Sequence, residues 1–145
     1  KIDIDTCKSV FYTLSSDKNY VSQRQIPEAL DLLKIIQPAT QECLQFTNND
    51  AKPELNEAEF LHLIYVLQNY KMYNKAHLPS RAHNLFVLAD YSMNNMIEKD
   101  ELQNIFKKLG LNIGNIQVEA IMSRLQINNE IHYEDFIKEI QNYIE

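Results

Sequence analysis

The sequence predicts an all-α protein built in two similar halves, and three observations support this. Apolar residues recur every three or four positions along most of the chain, which is the period of a helix with one buried face. The 145 residues include only two glycines, so glycine-rich phosphate or dinucleotide loops are nearly excluded. A short residue pattern also occurs four times at regular spacing.

Helical stripes run through both halves of the chain. They cover 4–14, 26–33, 60–67, 82–89, 102–109, 118–125 and 136–144. Pro27 is tolerated in the first turn of the second stripe, and Pro38 is a stop signal after it. Asn56 followed by Glu59 resembles a capping box, and Gly110 is a natural C-cap after the stripe that ends at 109.

Polar residues and Pro79 interrupt the helical period over 74–79. This break divides the stripes into two groups. We therefore expect an N-terminal unit over 1–73, a linker over 74–79 and a C-terminal unit over 80–145.

The repeated pattern consists of an aliphatic residue, three variable residues, a carboxylate or amide, and a large apolar residue. Its four copies cover 21–26, 55–60, 97–102 and 131–136. Within each half, the two aliphatic residues are 34 positions apart. This spacing indicates two paired units in the chain.

The pattern resembles the EF-hand superfamily, whose unit is a helix, a 12-residue loop and a second helix. In that family the eighth loop residue is aliphatic and the twelfth is acidic. The segment 97–125 is especially similar to the C-terminal lobe of calmodulin. The resemblance implies two lobes of paired EF-hands with about eight helices. It also implies short two-residue β bridges that join Val21 to Leu55 and Ile97 to Ile131.

The third loop keeps most of the oxygen ligands that the family uses for calcium. The implied ligands at positions 1, 3, 5, 7, 9 and 12 are Asp90, Ser92, Asn94, the Met96 carbonyl, Glu98 and Glu101. Asn95 replaces the glycine at position 6, and asparagine tolerates the left-handed conformation needed there. Since only three ligands are carboxylates, we expect no cofactor, or one calcium ion bound no tighter than about 10⁻⁵ M.

The other three loops lack a complete set of calcium ligands, although the second supplies Asn48 and Asp50. In the first loop, Leu14 and Lys18 stand at ligand positions and Gln25 replaces the final acid. The second loop has Lys52 and Pro53 where an oxygen and a left-handed residue are required. The fourth loop is about two residues shorter than the family length. We expect these loops to fold without metal.

Loss of calcium ligands with retention of the fold is the pattern of the myosin light chains. The resemblance thus implies a largely calcium-independent protein that clamps an amphipathic, basic helix of the IQ type in a larger cytoskeletal or motor protein. The partner-binding residues implied in the C-terminal lobe are Ile105, Phe106, Leu109, Ile121, Met122, Leu125, Phe136 and Ile140. The alternative for each of them is a place in the lobe's own core.

Composition restricts the kind of partner. The formal net charge of −6 disfavours nucleic acid, which is bound mainly by clustered basic residues, and favours a basic helix. No apolar run is long enough to span a membrane, so we expect no membrane insertion. Two isolated cysteines give no sign of a disulfide scaffold, and we expect a cytoplasmic, cytoskeleton-associated protein.

The sequence bears on two other functional classes. A calcium sensor that uses the third loop alone, either free or as regulatory lobes of a kinase, predicts the same fold. An enzyme is not expected, because none of the four histidines, His62, His77, His83 and His132, belongs to a metal-ligand spacing and no glycine-flanked nucleophile occurs. We therefore assign no catalytic residue. The sequence does not name the target helix.

Overall fold

Helices make up most of the chain, and two small antiparallel sheets join the loops between them. The structure is a computed structural model that describes residues 3–36, 42–43, 53–71 and 78–144. The chain divides into two units, Lys1–Tyr70 and Lys71–Glu145. The predicted mostly helical class is confirmed. Residues 37–41 and 44–52, where an eighth helix of the EF-hand resemblance would fall, lie outside the described residues.

In the described part of the first unit, residues 42–43 are helical, and three helices and one small sheet are described over their full length. In chain order these are α1 (Ile4–Ser15), β1 (Val21–Ser22), a 3₁₀ turn (Gln23–Gln25), α2 (Ile26–Leu33), β2 (Glu54–Leu55) and α3 (Glu57–Asn69). The helix ends follow local chemistry. Asp3 Oδ1 accepts a hydrogen bond from the Thr6 backbone N–H at 2.7 Å, which caps α1.

The capping box predicted at the start of α3 is confirmed. Asn56 Oδ1 accepts from the Glu59 N–H at 2.8 Å, and Glu59 Oε1 accepts from the Asn56 N–H at 2.9 Å. Helix α3 packs against α1, where the Phe11 and Phe60 ring centroids are 5.5 Å apart. Both rings and the side chain of Val21 are buried. The core of this unit therefore lies directly beneath its sheet.

The described part of the second unit contains four helices and one small sheet. They are α4 (Leu78–Ala89), β3 (Met96–Glu98), α5 (Lys99–Lys108), α6 (Asn115–Leu125), β4 (Glu130–His132) and α7 (Tyr133–Ile144). Helix α4 packs against α7, and the Phe86 and Phe136 centroids are 5.5 Å apart in a T-shaped contact. Gly110 ends α5 with φ of 73°, as its sequence position predicts.

The predicted boundary between the units needs two changes. Helix α4 begins at Leu78, so the last two residues of the predicted linker are helical, because proline is tolerated in a first helical turn. The first unit ends at Tyr70 and not at 73. Lys71 belongs to the second unit because Asn84 on α4 accepts from its N–H at 2.9 Å and donates to its carbonyl at 2.7 Å. Residues 72–77 lie outside the described part of the chain.

Both bridges implied by the repeat are confirmed in register. Val21 pairs with Leu55 in the first unit, and Ile97 pairs with Ile131 in the second. The second sheet is longer than predicted, since β3 and β4 pair over three residues each. None of the helices in the described residues is long and apolar enough to cross a membrane.

Candidate functional site

The third loop, residues 90–101, connects α4 to α5 and contains the predicted calcium ligands. Asp90 is buried at its start, with Oδ1 accepting from the Asn94 N–H at 3.3 Å and Oδ2 from the Asn95 N–H at 2.9 Å. Asn95 has φ of 66°, so the residue at position 6 takes the left-handed conformation that was predicted for it. Met93 also has a positive φ of 55°. The loop thus wraps around the Asp90 carboxylate.

Glu101 closes the other end of this loop. Its Oε2 accepts from the Ser92 N–H at 2.8 Å and from the Ser92 hydroxyl at 3.0 Å, while Oε1 accepts from the Glu98 N–H at 2.9 Å. Burial raises the pKa of Glu101, although these hydrogen bonds act in the opposite direction. The charge of Asp90 adds to the rise in pKa. Glu101 therefore bridges the beginning and the end of the loop through protein groups.

The predicted ligands are only partly brought together. Asp90 and Glu101 are buried and Ser92 is exposed, while the Asn94 amide turns outward, donating to Glu130 Oε2 at 3.1 Å. Glu98 is exposed, and Met96 donates its N–H to Asn94 Oδ1 at 3.1 Å. In the described residues, no three His, Cys, Asp or Glu side chains are grouped as a metal site. The predicted ligands of the third loop are therefore hydrogen-bonded to each other, to backbone groups of the loop and to Glu130.

The first loop is closed by an amide in place of a carboxylate. Gln25 Oε1 accepts from the Ser22 N–H at 3.0 Å, and Gln25 Nε2 donates to the Leu14 carbonyl at 2.8 Å. Ser22 occupies the same place in its loop as Glu98 does in the third, so the Gln25–Ser22 and Glu101–Glu98 hydrogen bonds are equivalent. An ionised carboxylate at this position could not donate the bond to the Leu14 carbonyl. Sequence reasoning treated Gln25 as a lost ligand and missed this second role.

The second loop is described only from Pro53 onward, and Lys52 lies outside the described residues. The Pro53 carbonyl accepts from the Gln23 N–H at 2.9 Å, which extends the contact between the first two loops. Glu59, the final acid of this loop, is occupied with the N-cap of α3. The described part of the loop is therefore held by protein hydrogen bonds.

The fourth loop is replaced by a tight two-residue turn. Ile127 and Glu130 exchange backbone hydrogen bonds of 2.8 and 3.1 Å around Asn128 and Asn129. These two asparagines have φ of 54° and 67°, which is typical of the type I′ turns of β-hairpins. The turn connects α6 to β4 in place of a full-length calcium loop.

Most of the residues expected to bind a partner lie in the core of the second unit. Buried side chains are Ile105, Phe106, Ile121, Met122, Phe136 and Ile140. Leu109 and Leu125 are partly exposed. Apolar side chains at helical spacing bury against each other when no partner covers them. In the described structure these residues therefore form the closed core of the second unit and not an open groove.

A polar pair beside this core was not predicted from the sequence. Arg124, in the last turn of α6, donates from both terminal nitrogens to the two carboxylate oxygens of Glu139 on α7, each at 3.1 Å. The Tyr143 hydroxyl donates to Glu139 Oε2 at 3.4 Å. The Tyr143 ring stacks edge-on against Phe106, with centroids 4.9 Å apart. The pair thus joins α6 and α7 across the side of the apolar cluster.

Comparison with known proteins gives little further information. No family model matches the sequence, and no curated protein matches it. Among solved structures, the chain is similar to one from the Chaetomium thermophilum TREX2 CID domain complex, with 16% identity over 100% of this chain and 92% of that chain. The TM-score is 0.37, which is too low to establish a common fold.

Proposed function

We propose that the chain is an EF-hand protein of the calmodulin and light-chain type that binds an amphipathic, basic helix of a larger cytoskeletal or motor protein, largely without calcium. The observation that carries this proposal is the strand register. Val21 pairs with Leu55 and Ile97 with Ile131, at the positions where the family joins its paired loops. Two units of helix, loop and helix paired in this way form the scaffold of such proteins.

Independence from calcium is supported by the way the loops close. Gln25 joins the start of the first loop to its end, and Glu101 does the same in the third loop. The Asn128–Asn129 turn shortens the fourth loop. Each of these contacts fixes the relative direction of two helices, which is the structural task of the metal in a calcium-loaded loop.

The proposed partner is a helix because the apolar cluster of the second unit lies between helices and includes Phe106 and Met122. Aromatic and methionine side chains adapt to the apolar face of an incoming helix. The net charge of −6 favours a partner with basic residues. Since most of the cluster is buried, binding requires α6 and α7 to separate enough to admit the partner.

A second candidate is a calcium sensor that acts through the third loop, free or as regulatory lobes of a kinase. The left-handed Asn95 and the buried carboxylates of Asp90 and Glu101 favour it, because they keep the loop close to a binding conformation. In this case calcium would replace the internal hydrogen bonds of Ser92 and Glu101. The two candidates differ in whether partner binding needs the ion.

The test is affinity capture with the immobilised chain in EGTA and in calcium, followed by crosslinking and identification of the bound segment. Capture of a basic amphipathic helix from a cytoskeletal protein in both buffers supports the proposal. Capture only in calcium supports the sensor. Capture of no helical segment in either buffer contradicts both.

A further inference from the structure

Glu139 is unusual because it is a carboxylate on the apolar face of a helix. Phe136, Glu139, Ile140 and Tyr143 follow the i, i+3, i+4, i+7 spacing of one helical face. Phe136 and Ile140 are fully buried, and the Glu139 side chain is only 10% exposed. A carboxylate in such a place is costly unless it is paired with a cation and hydrogen-bonded.

The Arg124 side chain supplies this cation from an exposed position. It is 58% exposed, in contrast to Glu139. The pair is therefore asymmetric: the carboxylate is fixed in the face of α7, whereas the guanidinium reaches it from solvent. Because the guanidinium is largely solvated, it can return to water when another cation takes its place on the carboxylate. The buried carboxylate of Glu139 still requires a cation when Arg124 leaves it.

We infer that Glu139 is an anchor for an arginine or lysine of the partner helix, and that Arg124 occupies this anchor in the free chain and is displaced on binding. This inference rests on the proposed function and specifies the chemistry of its partner. The occupant is an amphipathic helix with a basic side chain on or beside its apolar face. Arg124 spans α6 and α7, the two helices that must separate to admit that helix.

The surroundings of Glu139 favour this occupant over a neutral helix. Tyr143 donates to the same carboxylate and contacts Phe106, so the charged group lies next to the apolar residues of the cluster. A basic side chain that follows an apolar anchor by one helical turn reaches both sites at once. A partner with a neutral residue at that position does not displace Arg124 from Glu139. The ion pair then continues to join α6 and α7.

The experiment compares two synthetic amphipathic peptides of about 20 residues by calorimetry in EGTA. One peptide carries arginine beside its apolar face, and in the matched peptide these arginines are glutamines. We expect Arg124→Ala to raise the affinity for the basic peptide about two- to fivefold, because the internal competitor is lost. We expect Glu139→Gln to lower it about tenfold or more, with little change for the neutral peptide.

The control is Glu119→Gln, which removes the same charge from another ion pair of the unit, Lys99 with Glu119 at 2.8 Å. It is expected to leave both affinities near those of the unmodified chain. Circular dichroism of each variant verifies that it is folded. If Glu139→Gln binds both peptides as the unmodified chain does, or weakens both equally, the inference is wrong while helix binding stands. If neither peptide binds the unmodified chain or Arg124→Ala, the proposed function fails as well.

Discussion

The amide of Gln25 offers the sharpest test of how a loop holds its shape without metal. Replacing it with methionine keeps the length of the side chain but removes both the acceptor for Ser22 and the donor to Leu14. Each hydrogen bond contributes about 0.5–1.5 kcal/mol net. Because Gln25 is partly exposed, water replaces some of the loss, and we expect about 1–2 kcal/mol of destabilisation of the first unit.

The Gln25→Glu variant distinguishes the two hydrogen bonds, because only one of them depends on the protonation state of the introduced acid. At pH 7 the carboxylate still accepts from Ser22, but it cannot donate to the Leu14 carbonyl. The protonated acid can donate, so the fold raises the pKa of this introduced group above the unfolded value of about 4.3. A raised carboxyl pKa destabilises the fold at high pH, and this penalty shrinks as the pH falls through the folded pKa. The variant should therefore approach the unmodified chain near pH 4.

The assay is hydrogen exchange of amides in α1 and α2, supported by thermal melts, at pH 7 and near pH 4. A loss of 1 kcal/mol corresponds to roughly 4–8 °C for a unit of this size. Asn19→Asp is the control, since it adds the same charge to an exposed residue of the same loop. Stability of Gln25→Met equal to that of the unmodified chain, or a Gln25→Glu penalty that does not depend on pH, would refute the reasoning.

Three further predictions concern the second unit. Asn129→Ala should destabilise it by about 1 kcal/mol in urea unfolding, because alanine is strained at φ of 67°, whereas Asn129→Gly should be neutral or stabilising. Asn84→Ala should cost about 1–3 kcal/mol, because a buried amide binds both the N–H and the carbonyl of Lys71, and exchange of the Lys71 amide should accelerate. Calcium titration followed by NMR should give shifts confined to residues 90–101 with a dissociation constant weaker than about 10⁻⁵ M, and Glu101→Gln should abolish them.

The strand register was predictable because the repeat resembles the EF-hand pattern, in which the eighth residues of paired loops are joined. Val21 and Leu55 are as far apart in sequence as Ile97 and Ile131, and equal spacing within each half points to equal pairing. Local hydrogen bonds and backbone conformations were also predictable. The Asn56 capping box and the left-handed Asn95 depend on residues within a few positions of each other.

Contacts between distant residues were not predictable from the sequence. Gln25 donates to Leu14, which lies 11 positions earlier, and nothing in either residue type indicates where that carbonyl points. The position of Glu139 on the face of Phe136 and Ile140 was visible in the helical period. Its partner Arg124 was not, because the turn that brings α6 and α7 together sets that distance. Composition likewise left open whether the apolar residues of the second unit form a core or a groove.

Binding of the basic amphipathic peptide, measured by calorimetry in EGTA and again in excess calcium, tests the central claim most directly. The closed loops predict that the two dissociation constants agree within about threefold, because the scaffold does not need the ion. Binding that appears only when calcium is added, together with NMR shifts that start at residues 90–101, would contradict the claim and identify the third loop as a switch.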